Sequence, residues 1–221
     1  MSARHKIWYL KSLDLFKGLS EKKVHELESL FTMRQFCRGE MVSDPDRRNT
    51  VFIVKSGKVD VYQLSEDGRK YIIDVLTKGS VFGDVGSHTS SAIYAESRED
   101  SYVCWMNKEQ FFKLVSANAQ VSSRMMRQLF ERLLVAEEKA ASLASDSVLT
   151  RLAKLLLNLG KPSGGAHMTT DSFTHESLAQ MLGISRQTVT TLLKQLEKDG
   201  AVTRQGKQLV YDKSKLAPFT K

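Results

Sequence analysis

Thr174-His175-Glu176-Ser177-Leu178-Ala179-Gln180-Met181-Leu182-Gly183-Ile184-Ser185-Arg186-Gln187-Thr188-Val189 is the stretch that decides how the chain folds. Thr174 can cap a helix N-terminus, and Glu176 follows in the first turn, where exposed amides favour a carboxylate. Leu178, Ala179 and Leu182 repeat at helical spacing and make an inner face. Gly183 stands where a tight turn needs positive φ, and Ile184 anchors that turn. Ser185 caps a second helix whose inner face is Val189, Leu192, Leu193 and Leu196. Two short helices joined by a tight Gly turn are a helix-turn-helix. After Asp199-Gly200, the runs Ala201-Val202-Thr203-Arg204 and Gln208-Leu209-Val210-Tyr211 flank Gln205-Gly206-Lys207, which reads as a hairpin wing with a basic tip.

The second helix keeps Arg186, Gln187, Thr190, Thr191 and Lys194 on its outer side. Arg can grip guanine O6 and N7 bidentately, Gln can do the same with adenine N6 and N7, and a Thr methyl can meet a thymine methyl. With Ser185 and Thr188 at the helix entry and Lys207 on the wing, these are the candidate DNA-binding residues, and double-stranded DNA is the implied partner. The charge balance agrees. The chain carries 33 Lys and Arg against 25 Asp and Glu, a net +8, and eleven against six from Ser145 to Lys221. Such an excess favours a polyanionic partner.

Upstream of this motif the texture changes twice. With 221 residues the chain has room for two domains. Ile7 to Phe31 reads as short helices, with Ser20 as a cap and Val24, Leu27, Leu30 and Phe31 as an apolar face. From Thr32 to Trp105, Val- and Ile-rich runs such as Val51–Val54, Val59–Tyr62 and Tyr71–Leu76 alternate with Gly- and Asp-centred turns. Evenly spaced short strands predict a two-sheet antiparallel structure such as a jelly roll. From Lys108 to Ser147 there is neither Gly nor Pro, and Val121, Met125, Leu129, Leu133, Ala136, Ala140 and Leu143 recur at steps of four and three. A long helix follows, with Arg124, Arg127, Glu131, Glu138 and Lys139 opposite the stripe. The stripe can pack on its own domain, but its narrowness and length favour a helix-to-helix dimer seam. A further helix, Val148 to Leu159, ends in the loop Gly160-Lys161-Pro162-Ser163-Gly164-Gly165.

From Thr174 to Gly206-Lys207 the chain resembles the helix-turn-helix of the catabolite-activator (Crp/Fnr) superfamily. Gly39-Glu40, Ser56-Gly57-Lys58-Val59, Asp67-Gly68 and Gly79-Ser80-Val81-Phe82-Gly83-Asp84 resemble the signposts of its cyclic-nucleotide-binding-like domain. The resemblance covers nearly the whole chain. It implies an α+β protein with an N-terminal β jelly roll and its leading helices over 1–115, a dimerisation helix over 116–145, and a winged helix-turn-helix over 146–221. It also implies a homodimeric transcription regulator that binds a palindromic promoter site and touches RNA polymerase. The alternative is a cyclic-nucleotide-binding regulatory or scaffold module, against which the intact helix-turn-helix argues.

The effector side departs from the family pattern. In cAMP-binding members, the resemblance implies, an acid holds the ribose hydroxyl and an Arg in the following loop pairs with the cyclic phosphate. The matching positions here are Gly83-Asp84, one methylene shorter, and Ser90-Ser91, with no cation. The loop Val85-Gly86-Ser87-His88-Thr89 is shorter too, and Ala136-Glu137 replaces the hydroxyl pair that meets adenine. A buried phosphate needs a cation or several N–H donors, so this pocket is not built for cAMP. Other members sense through haem, iron–sulfur clusters, thiols, 2-oxoglutarate or small aromatic ligands, and the cofactor here stays unknown. A small-molecule effector is compatible with the sequence, and so is none. Cys37 and Cys104 are too few for a cluster and fall on expected strands, where a thiol usually acts as a small apolar group. His88 lies near the loop that supplies a haem ligand in carbon-monoxide-sensing members without matching the ligating position.

Enzyme chemistry finds no support, since the chain has no metal-ligand cluster, no GxSxG, no P-loop and no carboxylate pair in a Gly-rich setting. No apolar run reaches the ~20 residues that span a bilayer, and the first residues lack a signal-peptide core, so a cytoplasmic protein is expected.

Overall fold

The computed structural model describes residues 13–84, 92–163, 167–170, 173–206 and 208–220. In chain order a 3-10 turn at Asp14–Phe16 leads to α1 (Glu21–Leu30) and then, among the described residues, to eight strands. These are β1 (Thr32–Phe36), β2 (Met41–Ser43), β3 (Thr50–Ser56), β4 (Val59–Leu64), β5 (Lys70–Leu76), β6 (Val81–Gly83), β7 (Tyr94–Ser97) and β8 (Ser101–Asn107). Helices α2 (Lys108–Ser116), α3 (Ala119–Ser145) and α4 (Val148–Leu159) follow. Then come β9 (Lys161–Pro162), β10 (His167–Thr169), α5 (His175–Leu182), α6 (Arg186–Lys198), β11 (Val202–Gln205), β12 (Gln208–Asp212) and α7 (Lys213–Leu216). The residues group into two compact units that divide the chain between Leu133 and Leu134, with Arg69–Tyr71 counted in the second.

In the first unit the sheets run β1-β8-β3-β6 and β2-β7-β4-β5. Val51–Val54 is buried on both faces, which explains an unbroken apolar run where a half-exposed strand would alternate. Phe52 and Val54 point between the sheets to meet Phe36, Val59, Phe82 and Val103. Val51 and Ile53 point the other way, to Phe16, Val24, Phe111 and Val121 of the turn and helices.

The Gly- and Pro-free run from Lys108 to Ser147 is not one helix. It breaks at Ala117–Asn118, between α2 and α3. The Asn118 side-chain amide donates to the Leu114 carbonyl (2.8 Å), and its backbone carbonyl accepts from the Ser122 N–H (3.0 Å). A side chain therefore satisfies an orphaned carbonyl of the helix end, where a Gly is more usual. The expected apolar seam also needs correction. Val121 and Met125 are buried in the core of their own unit. Leu129, Leu133 and Leu143 stay about half exposed, together with Met126 and Phe130. Farther along α3, the Gln128 amide donates to the Gly79 carbonyl (3.0 Å) and Arg132 to that of Val81 (2.9 Å). Arg132 also pairs with Asp74 at 3.1 Å, so the first half of α3 is tied to its own β structure.

The second unit packs Leu152, Ala153 and Leu156 of α4 against Leu178, Leu193 and Leu196 of α5 and α6, with Val202, Leu209 and Tyr211 of the wing closing the core. Its sheet runs β11-β12-β10-β9. Lys161–Pro162 therefore belongs to a strand, inside what the sequence presents as a loop. Gly160, just before it, is required by space. A Cβ there would sit 1.9 Å from the Tyr211 hydroxyl oxygen. That hydroxyl donates to the Leu156 carbonyl, and burial pushes the phenol up to about 12.

Candidate nucleic-acid interface

The helix-turn-helix is assembled by reciprocal caps. Thr174 Oγ1 accepts from the Ser177 N–H, and Ser177 Oγ accepts from the Thr174 N–H, each at 3.0 Å. Gly183 takes φ 67° and ψ 38°, the left-handed conformation, and the Ile184 N–H closes the turn on the Ala179 carbonyl (3.1 Å). Ser185 Oγ accepts from the Thr188 N–H (3.0 Å) and bonds the Thr188 hydroxyl (2.8 Å). Ser185 and Thr188 therefore build the entry of α6, and their hydroxyls are engaged there.

Helix α6 buries Val189, Leu193 and Leu196 and exposes Arg186, Gln187, Thr191 and Lys194. The Thr191 hydroxyl donates to the Gln187 carbonyl (3.1 Å) and that of Thr190 to the Arg186 carbonyl (2.9 Å), so both hydroxyl protons stay on the helix. Beside α6 the wing strands pair antiparallel from Val202↔Tyr211 to Gln205↔Gln208. Gly206 takes φ 61° at the tip, and Lys207 lies outside the described residues.

A cleft of about 510 Å³ lies between α6 and the wing, lined among others by His175, Thr190, Lys194, Glu197 and Arg204. Inside it the His175 ring bridges two elements, with Nδ1 2.7 Å from Thr190 Oγ1 and Nε2 2.6 Å from an Arg204 Nη2. Burial, then the charges of Arg204 and Arg186, hold this imidazole below its usual range. Arg204 also approaches Glu197 at 3.6 Å. Sequence reading singles out neither His175 nor Arg204, because 29 residues separate the partners.

The candidate effector residues divide between the first unit, the second unit and a segment outside the described residues. Gly83 takes φ 100°, and a Cβ there would meet the Thr50 carbonyl oxygen at 2.6 Å. Asp84 accepts from Lys108 Nζ (2.8 Å) on one oxygen and from the Asn49 N–H (3.0 Å) on the other. These bonds, the lysine first, hold its carboxyl below the ordinary range. Ala136 and Glu137 are exposed on α3 in the second unit, whereas Gly83 and Asp84 belong to the first. Ser90, Ser91 and His88 lie outside the described residues. Cys104 is buried on β8 as its strand position predicts, but Cys37 falls just past β1 and is exposed. Among the described residues no three His, Cys, Asp or Glu side chains gather as a metal site, and no helix is long and apolar enough to cross a membrane.

A β roll, a 27-residue helix and a winged helix-turn-helix in this order form the architecture of a DNA-binding transcription regulator. Comparison with known proteins gives the family. Residues 33–118 match the cyclic nucleotide-binding domain and residues 150–219 the Crp-like helix-turn-helix domain. A CRP-like cAMP-activated global transcriptional regulator of Mycobacterium tuberculosis is 29% identical over 92% of this chain and 94% of its own. The probable transcriptional regulator flp of Lacticaseibacillus casei is 27% identical over 88% and 90%. Among solved structures, a CooA mutant from Carboxydothermus hydrogenoformans shares the fold with a TM-score of 0.76, at 24% identity over 98% of this chain and 99% of its own. The c-di-GMP-responsive regulator CLP of Xanthomonas campestris has a TM-score of 0.75, at 21% identity over 87% and 99%. The chain belongs to the Crp/Fnr family of DNA-binding transcription regulators, which are not enzymes.

Proposed function

We propose that the chain is a cytoplasmic homodimer that reads a palindromic promoter site through α6 and the wing, touches RNA polymerase there, and is not controlled by cAMP. The division of labour is a sensor over 1–115, a dimer helix over 116–145 and a reader over 146–221. The observation that carries the reading is the outward face of α6. Arg186 and Gln187 stand exposed at its N-terminal end, where recognition helices meet base edges, and their side chains have no hydrogen-bond partner among the described residues. Thr190, Thr191 and Lys194 follow along the same helix, Ser185 and Thr188 fix its entry, and Lys207 supplies a phosphate contact at the wing.

Dimerisation is supported by Met126, Leu129, Phe130 and Leu133, which leave an apolar stripe on α3 about half exposed in one chain. A second copy of the same stripe covers it by symmetry, and two recognition helices then reach half-sites about 34 Å apart. Independence from cAMP is supported by the absence of a cation at Ser90 and Ser91 and by the pairing of Asp84 with Lys108 of its own unit. The names of relatives range from cAMP activation to c-di-GMP response, so the family alone leaves the effector open. Calorimetry tests this point. The expected result is no heat of cAMP binding, and micromolar affinity with tighter operator binding overturns it. Sedimentation tests the assembly, with a dimer expected and a monomer that still binds DNA tightly as the contrary result.

A further inference from the structure

We propose that His175 is a positioning residue for base reading: as a neutral imidazole protonated on Nδ1 it locks Thr190 of α6 and Arg204 of the wing into one register, so that position 190 offers DNA a methyl group and no hydroxyl donor. The proposal rests on the reading of α6 as the recognition helix.

The tautomer follows from the partners. A guanidinium carries only donors, so the Arg204 Nη2, 2.6 Å from His175 Nε2, must donate to a bare nitrogen lone pair. An imidazole that accepts at Nε2 and is uncharged carries its proton on Nδ1. Thr190 Oγ1, 2.7 Å from Nδ1, therefore accepts, and its own proton goes to the Arg186 carbonyl at 2.9 Å. The chain of donors runs Arg204 to His175 to Thr190 to the backbone of Arg186. The Nδ1 proton of His175 and the hydroxyl proton of Thr190 each have an acceptor within the protein. Thr190 is held through two bonds at Oγ1 and can meet a thymine methyl, but it has no proton to give a base acceptor.

The same arrangement makes the register sensitive to pH. An imidazolium has no lone pair at Nε2 and would place a third positive charge beside Arg204 of β11 and Arg186 of α6. Lys194 of the cleft wall adds to that repulsion, Glu197 opposes it, and Glu176 follows His175 on its own helix. The imidazole is held below its usual value, so the link is intact above the ordinary pKa of about 6.5 and is lost as pH falls through the lowered one.

Nitrogen NMR of the ¹⁵N-histidine-labelled full chain reads the tautomer directly. Protonated Nδ1 with bare Nε2 is expected for His175 near neutral pH, and the opposite tautomer overturns the proposal. Sequence selection from random duplexes then reads the consequence. His175→Ala should lower discrimination at the pair next to Thr190 by about two- to tenfold, the range of one net hydrogen bond. His175→Asn, whose amide can stand in for Nδ1–H, should recover part of it. Wild-type discrimination should fall as pH drops from about 8 through the lowered His175 pKa, located by the same nitrogen NMR, while that of His175→Asn stays level, and superposable profiles across that titration overturn the proposal. Arg186→Ala separates the two readings. If it changes the consensus and His175→Ala does not, the positioning role alone falls; if it changes nothing, the reading of α6 has failed first.

Discussion

The two halves of the molecule use their polar side chains in opposite ways. In the reading half, apolar residues such as Val189, Leu193 and Leu196 hold α6 in place, which leaves Arg186 and Gln187 exposed. In the β-rich half, Asp84, the proposed effector acid, accepts one bond on each oxygen, from Lys108 and from the Asn49 N–H. Each oxygen keeps a second lone pair, so these bonds orient the carboxylate toward its own fold, and a ligand would have to share it with Lys108. The proposed reader leaves its polar side chains exposed to a partner, whereas the proposed effector acid is tied to its own fold.

Five variants put that contrast under strain. The largest effect belongs to the element between the halves. Leu129→Glu with Leu133→Glu places like charges on the exposed stripe of α3, and sedimentation should then show monomers. Loss of the second half-site should weaken operator binding by about 10²–10⁴, the usual gain from linking two sites. Met125→Ala, one turn earlier, removes a side chain buried in its own unit. It should cost about 2 kcal/mol or more in thermal or urea unfolding and leave the dimer intact.

Arg186→Ala comes next, at about 1–3 kcal/mol per half-site with relaxed preference at one base pair. Lys207→Ala should weaken all sequences alike and reduce the slope of log affinity against log salt by about one unit. Asp84→Asn is the smallest. The pair with Lys108 is partly exposed, so its loss should cost about 1 kcal/mol at most. Because the Asp84 carboxyl is held below its unfolded value, that stability is present above about pH 4 and lost as pH falls through the lowered pKa. The Asn variant should therefore unfold with a flatter acid limb than wild type.

The sequence discloses the local parts of this protein and conceals the contacts that cross long distances. Caps and turns written within a few residues, such as Thr174 with Ser177 or Gly183 with Ala179, make the helix-turn-helix legible from the residues alone. The strands at Val51, Val59 and Tyr71 are legible for the same reason. The break at Asn118 is hidden because a side-chain amide replaces the expected glycine. The burial of Val121 and Met125 is hidden because a helical stripe has the same spacing whether it faces its own core or a partner. His175 and Arg204 meet only after the wing folds back on α5 and α6, and no local pattern marks either of them.

Selection from random duplexes, run in parallel on wild type and Arg186→Ala, tests the central claim that α6 reads the DNA. A palindromic consensus is expected for the wild type and, for the variant, loss of preference at one symmetric pair of positions with the rest retained. An unchanged consensus in Arg186→Ala, at unchanged affinity, would contradict it.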